Sequence, residues 1–272
     1  MIKQLELKTP VSRIRKLEEL SMNAWPSLQT KLYDGWVLRF SEGYTRRGNS
    51  VSPIYESTIL LDEKIDFCEK EYGLQSLPTL FKLTTESNPN GIDERLQERG
   101  YIKENETSLR VLALSQDFNY ECLDVVVKDQ FSDEWLRGLF SCSNISEEQV
   151  QVTARRILGN ILGPVIYLSK QVDGKIVGCG YGAIEGDYIG IFDIVVDKDF
   201  RGNGYGRDIM NGILKTAQQK NVTTAYLQVS AGNIPAEKLY DKIGFKEVYR
   251  YWYRKLEKLI ELKSFVENKE KE

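Results

Sequence analysis

The chain has 272 residues, of which 41% are hydrophobic and 28% are charged, and its net charge is −3. This length favours two domains, the composition is that of a globular protein, and the charge excludes the basic field that holds a nucleic-acid backbone. No apolar run approaches the ~20 residues of a membrane-spanning helix, and residues 1–8 lack a signal-peptide pattern, so we predict a cytoplasmic protein that does not contact membranes.

The sequence contains no histidine. This absence excludes Ser-His-Asp and Cys-His catalytic groups, HExxH zinc sites and any imidazole base. The four cysteines form no CxxC motif, and we predict that Cys68, Cys122, Cys142 and Cys179 are buried, reduced thiols. We therefore expect no metal site, and the chemistry must use carboxylates, tyrosines, backbone amides or water.

The N-terminal half alternates helical and strand patterns. Thr9 and Pro10 are typical of a helix start, and they precede apolar residues at helical spacing. Two strands, 35–41 and 45–54, are predicted to form a hairpin around Glu42 and Gly43. The other predicted elements are a helix over 60–72, a strand over 79–84, a helix over 93–99, and a strand or strand pair over 101–114. The polar stretch 115–119 predicts a boundary between domains 1–117 and 118–272.

The C-terminal half has a clearer rhythm. Asp173-Gly174 is the dipeptide most typical of a tight hairpin, and it joins the apolar runs 165–172 and 175–184. A strand over 188–196 then leads through a glycine-rich turn into a helix with one apolar face. The other predicted elements are strands over 122–127, 224–230 and 245–254, helices over 133–141, 147–161 and 235–243, and a short helix within 255–272.

The two halves share a local pattern. Residues 236–245 can be laid over residues 92–101 without gaps, and both segments read as a short helix that ends in glycine and an aromatic residue. An asparagine and a strand precede each helix. Together with the agreement in element order, this match predicts an internal duplication.

The most informative segment is 195–207, which reads Val-Val-Asp-Lys-Asp-Phe-Arg-Gly-Asn-Gly-Tyr-Gly-Arg. Gly202, Gly204 and Gly206 remove side chains at a helix start, where a ligand could touch the backbone and where free amides favour an anion such as pyrophosphate. The phosphate-binding GxxxxGK loop is absent. The dinucleotide motif GxGxxG would require glycine where the chain has Arg207.

The stretch from Arg201 to Gly206 matches the coenzyme A loop of the GCN5-related N-acetyltransferases (GNAT): Arg or Gln, two residues, Gly, one residue, and Gly or Ala. The chain resembles this superfamily over about residues 123–254, and the resemblance includes Leu-Gln-Val-Ser-Ala-Gly-Asn233 and the helix that carries Tyr240. It implies a mixed α/β fold with two GNAT-like lobes, each a mostly antiparallel mixed sheet flanked by helices. The pattern resembles tandem bacterial members, with a degenerate N-terminal copy.

The resemblance also implies acetyl-CoA as co-substrate and assigns residues to it. The backbone of Ile194, Val195 and Val196 would pair with the pantetheine arm, and Asn233 would hydrogen-bond the coenzyme between two strands. The residues implied around the pyrophosphate are Arg201, Gly202, Asn203, Gly204, Tyr205, Gly206 and Arg207. Tyr240 would protonate the departing thiolate, a role that suits a phenol. The alternative is that Tyr240 is a packed aromatic residue.

The reaction also needs a base, because an amine with a pKa of ~10.4 is protonated at pH 7. The ribosomal-protein N-terminal acetyltransferases, a similar subgroup, carry a glutamate where this chain has Gln228, and an amide cannot take up a proton. Asp193 is the best replacement, and Glu185 and Asp187 are less favoured. An ordinary hydrogen-bonded carboxylate at 193, with a water chain as base, is the alternative.

The N-terminal half lacks both features. Leu96 lies where Tyr240 would, and no glycine-rich loop precedes the predicted 60–72 helix. Residues 36–50 are rich in aromatic residues and arginines, which suits ligand recognition and inter-lobe packing equally. We therefore predict that this half is a scaffold or lid, with Tyr44, Arg46 and Arg47 as candidates for binding the acceptor.

Together these observations predict an acetyl-CoA-dependent N-acetyltransferase with one coenzyme site per chain. The acceptor would be a primary amine of a small molecule or a peptide. The alternative function is a non-catalytic acyl-CoA sensor, which would need the same loop but neither Tyr240 nor a base.

Overall fold

The computed structural model describes residues 12–115, 119–121 and 123–256. The helices are α1 (Arg13–Ala24), α2 (Leu61–Leu74), α3 (Ile92–Glu98), α4 (Asp133–Ser143), α5 (Glu148–Gly159), α6 (Tyr205–Gln219) and α7 (Ile234–Ile243). The strands are β1 (Gln29–Tyr33), β2 (Trp36–Phe40), β3 (Val51–Pro53), β4 (Leu80–Leu83), β5 (Ile102–Ala113), β6 (Val125–Lys128), β7 (Val165–Val172), β8 (Lys175–Glu185), β9 (Tyr188–Val196), β10 (Thr224–Ser230) and β11 (Lys246–Lys255). A short 3-10 helix, Lys198–Phe200, precedes α6.

The strands form one 11-stranded sheet in the order β1-β2-β3-β4-β11-β5-β10-β9-β8-β7-β6. At the centre of this sheet the two halves exchange a strand. The C-terminal strand β11 lies between β4 and β5, and the N-terminal strand β5 lies between β11 and β10. Two strand pairs are parallel, β3 with β4 and β9 with β10, and the other pairs are antiparallel. The mixed fold predicted from the sequence is confirmed, and the sheets of the two predicted lobes join into one.

Helices cover both faces of this sheet. The core on one face combines α1, α4 and α5 with aromatic residues of the C-terminal strands, whereas α6 and α7 pack on the opposite face. Successive side chains of β11 point to opposite faces of the sheet, and they show which face the N-terminal helices cover. Tyr251 and Tyr253 belong to the α1 core, and Trp252 belongs to the core of α2 and α3. Each face is therefore continuous across both halves.

Glycines on β8 bring α6 close to the sheet. A Cβ atom at Gly180 would lie 2.4 Å from the Ile194 side chain and 2.9 Å from that of Ile209, so a larger residue would force these side chains to shift. Gly178 and Gly182 face the same helix in the same way. This close packing fixes the N-terminus of α6 beside the end of β9.

The predicted start of the first helix and most of the predicted C-terminal helix lie outside the described residues. The proposed helix start at Thr9 and Pro10 lies outside the described residues, and the observed α1 begins at Arg13, where the Ser12 hydroxyl accepts a hydrogen bond from the Ile14 amide at 3.1 Å. Of the helix proposed within 255–272, Lys255 belongs to β11 and residues 257–272 lie outside the described part.

The predicted hairpin around Glu42 and Gly43 is present, because β2 pairs antiparallel with β3, but its second strand begins at Val51 and not at residue 45. A tighter hairpin precedes it. The tight hairpin is formed by β1, which was not predicted, and β2, and its turn is Asp34-Gly35. Both turn residues have positive φ, 40° and 81°, as a two-residue hairpin turn requires. Residues 41–50 form a longer loop between β2 and β3.

Three of the predicted thiols, Cys68, Cys142 and Cys179, are free and buried, and Cys122 lies outside the described residues. Within the described ranges, none of the helices has the length and apolar character needed to cross a bilayer. The same residues contain no group of three or more His, Cys, Asp or Glu side chains that could hold a metal ion.

Candidate active site

The parallel strands β9 and β10 separate halfway along their length. Their pairing runs from Thr224 opposite Tyr188 to Leu227 opposite Ile191 and then ends. Beyond that point β9 stays paired with β8 and β10 stays paired with β5. The facing backbone edges of β9 and β10 are therefore open, and an extended ligand chain with amide groups could pair with them. The predicted coenzyme positions Ile194, Val195 and Val196 lie on this open edge.

A β-bulge in β9 lies at the start of this splay. Phe192 pairs with Tyr181 and Val195 pairs with Cys179, so Asp193 and Ile194 together face the single residue Gly180. Asp193 has a φ of 52°, in the left-handed region. A bulge leaves one residue without ladder hydrogen bonds, which frees backbone amide groups at the point where the strands part.

The bulge explains where Asp193 points. Ile189 and Ile191 face α6, and strict alternation would place the carboxylate of Asp193 beneath the same helix. The extra residue restores that apolar face with Ile194 and turns Asp193 to the side of Phe192. The bulge was not predicted. The sequence does contain an indication of it, because Asp193 follows Ile189 and Ile191 at the alternate spacing that would otherwise bury its carboxylate.

The glycine-rich loop runs from the end of β9 into α6. Gly202 and Gly204 have φ values of 84° and 82°, and a Cβ atom at either position would meet nothing within 4 Å. These glycines are needed for the backbone conformation, and the space beside them is open. Gly204 caps α6, whose first amide groups have no acceptor within the helix. This geometry suits an anion such as pyrophosphate.

The polar side chains of this loop fold back onto the backbone. Arg201 Nε donates to the Val196 carbonyl at 3.1 Å, and Asn203 Nδ2 donates to the Phe200 carbonyl at 3.1 Å. Tyr205 lies under the Lys170 ammonium, at 5.1 Å from the ring centroid. These contacts hold the loop in shape before any ligand binds.

Arg207 and Asn233 lie on either side of the loop. Arg207 lines a cavity of about 290 Å³ between α6 and α7, together with Lys242. Asn233 is the N-cap of α7, and its Oδ1 accepts a hydrogen bond from the Ala236 amide at 3.4 Å. The capping role uses the side-chain oxygen of Asn233 and leaves its NH₂ group without a part in the cap.

Tyr240 lies beneath the splay. It belongs to the core that also holds Val196 of β9 and Val229 of β10, and only 8% of its surface is exposed. Burial raises the pKa of Tyr240 to about 12, so the phenol keeps its proton at neutral pH. Within the described part of the chain the hydroxyl makes no hydrogen bond, yet it is not sealed from solvent. Tyr240 can therefore donate a proton into the cleft.

Asp193 is half-buried on the opposite side of the splay. Burial raises its pKa to about 6, and the positive charge of Arg47 partly opposes that shift. No described residue donates a hydrogen bond to the carboxylate, and its oxygens reach solvent. A carboxylate with a pKa near neutrality and no fixed partner has the properties of a general base.

The N-terminal half supplies two of the predicted acceptor residues to this place. Arg47 lies over the rings of Trp25, at 4.7 Å, and Phe192, at 5.6 Å. Tyr44 lies beside Trp25, and burial together with the charge of Asp193 raises the pKa of Tyr44 to about 12. The structure thus brings Tyr44 and Arg47 to Asp193.

Arg46 is placed elsewhere. Its Nε donates to Glu104 Oε1 of β5 at 2.8 Å, and about half of its side chain is exposed. The structure therefore does not bring Arg46 to Asp193, although the sequence could not separate it from Arg47. The position of each arginine is decided by the path of the 41–50 loop.

Gln228 and Tyr251 line the same cleft. The Tyr251 hydroxyl donates to Gln228 Oε1 at 2.9 Å, while the buried Gln228 Nε2 has no partner in the described residues. Gln228 is the first residue of β10 beyond its pairing with β9. Its side-chain NH₂ group is therefore a donor at the splay, a role that sequence reasoning did not assign to it.

The N-terminal half has a similar crossover, from β3 through α2 to the parallel strand β4. The space before α2 is filled by a side chain of the protein itself. The Asp34 carboxylate accepts hydrogen bonds from the Thr58 and Ile59 amides, both at 2.9 Å, and from Lys64 Nζ at 3.1 Å. These contacts, first of all the Ile59 amide, hold the pKa of Asp34 well below its usual range. Leu96, in place of Tyr240, is fully buried.

Comparisons with known proteins identify the class of this fold. A GCN5-related N-acetyltransferase from Kribbella flavida superposes with a TM-score of 0.67 at 14% identity, over 90% of this chain and 96% of that one. A tandem GNAT protein from the clavulanic acid biosynthesis pathway superposes with a TM-score of 0.62 at 13% identity, over 92% and 89%. The fold is therefore that of the GNAT superfamily.

Comparison of the sequence identifies the family within this superfamily. A family model described as "Probable histone acetyltransferase Rv0428c C-terminal" matches residues 11–254, and the chain belongs to that family. The uncharacterized N-acetyltransferase YobR of Bacillus subtilis (strain 168) is 26% identical over 249 residues, which are 89% of this chain and 98% of that protein. The protein is thus an acetyltransferase of the GNAT superfamily.

Proposed function

We propose that the protein transfers the acetyl group of acetyl-CoA to a primary amine, with the coenzyme bound between β9 and β10. The observation that carries this proposal is the convergence of four free groups at one splay. These are the open edge of β9, the amides at the start of α6, the Tyr240 hydroxyl and the Asp193 carboxylate.

The residues present fit acetyl-CoA. The open backbone edge at Val195 and Val196 suits the amide groups of a pantetheine arm. The space beside Gly202 and Gly204, where a side chain would intrude, suits the pyrophosphate. Bound here, the coenzyme would supply an activated acetyl group as a thioester.

Two proton transfers are then assigned to the chain. Asp193 takes a proton from the acceptor amine as the new carbon–nitrogen bond forms, because its pKa of about 6 leaves it largely ionised at pH 7. Tyr240 gives its proton to the sulfur as the carbon–sulfur bond breaks, and its pKa of about 12 keeps it protonated until then. Each group carries the protonation state that its role requires.

We also propose that the two halves are a tandem pair of GNAT-like lobes, the N-terminal one degenerate. The strand order supports this, because β1-β2-β3-β4 and β7-β8-β9-β10 flank the exchanged central strands symmetrically. Each half contains one Asp-Gly hairpin turn and one parallel crossover. The N-terminal lobe would serve as the wall of the acceptor site, in a cytoplasmic protein.

The test is thiol release from acetyl-CoA over a panel of amines, with mass spectrometry of the products. An N-acetylated product that forms only with the active protein supports the proposal. Tight coenzyme binding without release of thiol to any amine would instead favour the acyl-CoA sensor, a function in which Asp193 and Tyr240 would have no chemical role.

A further inference from the structure

Arg47 differs from the buried arginines around it in the bonding of its guanidinium. The guanidinium of Arg39 bonds to the carbonyl oxygens of Arg47, Met22 and Trp25, and that of Arg254 bonds to Asp93. Within the described part of the chain, Arg47 forms no side-chain hydrogen bond and no ion pair within 4.0 Å. Its nitrogens are nevertheless not sealed from solvent. The charge is therefore available to a ligand.

The 41–50 loop holds Arg47 rigidly. Asn49, which is 3% exposed, accepts hydrogen bonds from the Ser41 and Gly43 amides and donates to the Tyr44 and Thr45 carbonyls. Arg39 Nη1 donates to the Arg47 carbonyl at 2.8 Å. These bonds fix the backbone at Arg47, and its guanidinium packs on the rings of Trp25 and Phe192. An arginine placed in this way loses less freedom on binding an anion than one on a free loop.

Asp193 carries the opposite charge in the same cleft. It interacts electrostatically with Arg47, but the two groups form no ion pair within 4.0 Å. Phe192 lies next to Asp193 in β9 and under the Arg47 guanidinium, so the two charges flank one aromatic ring. Two opposite charges that face one cleft and leave each other unpaired are complementary to a ligand that carries both.

Unpaired donors surround these charges. Trp25 Nε1 and the Tyr253 hydroxyl are buried without a hydrogen-bond partner in the described residues, and both belong to side chains that interact with Arg47. Among the same residues the Tyr44 hydroxyl makes no hydrogen bond either, and it reaches solvent. Buried polar groups without partners are rare in folded proteins and mark places where a ligand or water completes the network.

We propose that the acceptor is an amine that also carries a carboxylate, of the amino-acid type, with its amine at Asp193 and its carboxylate on Arg47. This inference rests on the proposed acetyl transfer and specifies its substrate class. A guanidinium matches a carboxylate with two parallel hydrogen bonds, which gives both charge and direction. Arg47 would thereby orient the amine towards the splay.

The test compares amines that differ only in the carboxylate. The twenty common amino acids and their decarboxylated counterparts are assayed with the wild type, Arg47→Gln and Arg47→Lys. Arg46→Gln is the matched control, because it removes the same charge from the same loop at a residue paired with Glu104. Assays are run at pH 8.5, because loss of Arg47 raises the pKa of Asp193 and would lower activity with every amine near neutrality.

We expect the wild type to acetylate at least one amino acid with a kcat/KM about tenfold or more above that of its decarboxylated counterpart. Arg47→Gln should lower kcat/KM for that amino acid by about 10- to 100-fold, mostly through KM, and leave the decarboxylated amine nearly unchanged. Arg47→Lys should recover part of the loss, and Arg46→Gln should behave as the wild type. Equal use of both amines, or equal effects of the two Gln variants, overturns the inference and leaves acetyl transfer standing.

A binding readout separates the two proposals. In the presence of coenzyme A, which cannot transfer an acetyl group, the same amino acid should raise the melting temperature of the wild type and not that of Arg47→Gln. If this shift occurs without any turnover, the acetyl transfer fails and the carboxylate site stands. If neither turnover nor binding is found, both fail.

Discussion

Lys64 donates a hydrogen bond to Asp34 Oδ2 at 3.1 Å, in front of the helix α2 that follows β3. In the C-terminal half, the equivalent place before α6 is the open glycine loop. The N-terminal half thus places a carboxylate from the β1–β2 turn on the Thr58 and Ile59 amides just before its helix, whereas Asp173 of the β7–β8 turn is exposed. Because these two amides already bind an internal anion, they are not available to a phosphate.

We therefore predict one coenzyme site per chain. Calorimetry with acetyl-CoA should give a stoichiometry of one, and Asp34→Asn should change neither this number nor the affinity. The variant should melt at a lower temperature, because it loses charge-assisted hydrogen bonds to two amides and to Lys64. Two equivalent sites in the wild type would contradict this prediction.

The pH dependence of that stability difference has a definite sign. The pKa of Asp34 is lowered in the folded state, so its contribution is present above the ordinary carboxylate pKa and is lost as pH falls below it. The gap in melting temperature between the wild type and Asp34→Asn should therefore shrink on acidification. A gap that widens at low pH would show that the carboxylate does not stabilise the fold.

Gly204 is predicted to be needed for coenzyme binding beyond its effect on stability. Gly204→Ala and Gly174→Ala place the same side chain at similar φ values, 82° and 76°, with no atom within 4 Å in either case. Both should lose about 1–2 kcal/mol of stability from the left-handed conformation. Only Gly204→Ala should weaken acetyl-CoA binding, by about tenfold or more, measured by calorimetry.

A third variant sharpens this comparison. A Cβ atom at Gly206 would meet Leu239 at 3.7 Å, an ordinary contact, and Gly206 lies within α6. Gly206→Ala should be tolerated in both stability and binding, as the coenzyme loop pattern allows alanine there. If Gly204→Ala and Gly174→Ala bind the coenzyme equally well, the loop does not hold the pyrophosphate.

Tyr240→Phe should lower kcat by about 10² to 10⁴-fold while leaving coenzyme affinity nearly intact. A group that protonates the leaving sulfur acts in the transition state, so the loss belongs in kcat. Tyr167→Phe is the matched control, because burial raises the pKa of Tyr167 to about 12 as well, on β7 and away from the loop. Full activity of Tyr240→Phe with a good acceptor would make Tyr240 a packing residue only.

The sequence was sufficient to predict those elements that depend on short local patterns. The glycine loop, the α7 helix and the Asp173-Gly174 hairpin all depend on residues a few positions apart, and they are where the sequence placed them. The exchange of β5 and β11 was not predicted, because pairing between Tyr251 and Thr107 joins residues far apart and leaves no local pattern.

In the candidate site, too, some features could be predicted from the sequence and others depend on contacts that the sequence does not reveal. The open edge of β9 follows from the resemblance to the superfamily, but the orientation of Asp193 depends on a bulge, and that of Arg47 depends on how Asn49 folds its loop. Arg46 and Arg47 are equivalent in the sequence, and only the pairing of Arg46 with Glu104 separates them. Side-chain direction in an irregular loop is set by contacts that composition and periodicity do not encode.

Asp193→Asn should lower activity and raise stability at the same time. Loss of the base should lower kcat by about 10² to 10⁴-fold and remove the acidic limb, centred near pH 6, from the pH profile of kcat/KM. Asp187→Asn is the control, because Asp187 was the less favoured base on the neighbouring turn and is exposed. Its pH profile should match that of the wild type.

The stability effect follows from the same pKa. The folded state raises the pKa of Asp193 from 3.8 to about 6, so below pH 3.8 both states are protonated and the group has no effect. Between these two values the folded state keeps a proton that the unfolded state has released, and above pH 6 the ionised carboxylate destabilises the fold by up to about 3 kcal/mol. Asparagine avoids this cost, so urea unfolding should show Asp193→Asn gaining stability over the wild type as pH rises from 4 to 7. A loss of stability over this range would instead show that the folded state does not raise the pKa of Asp193.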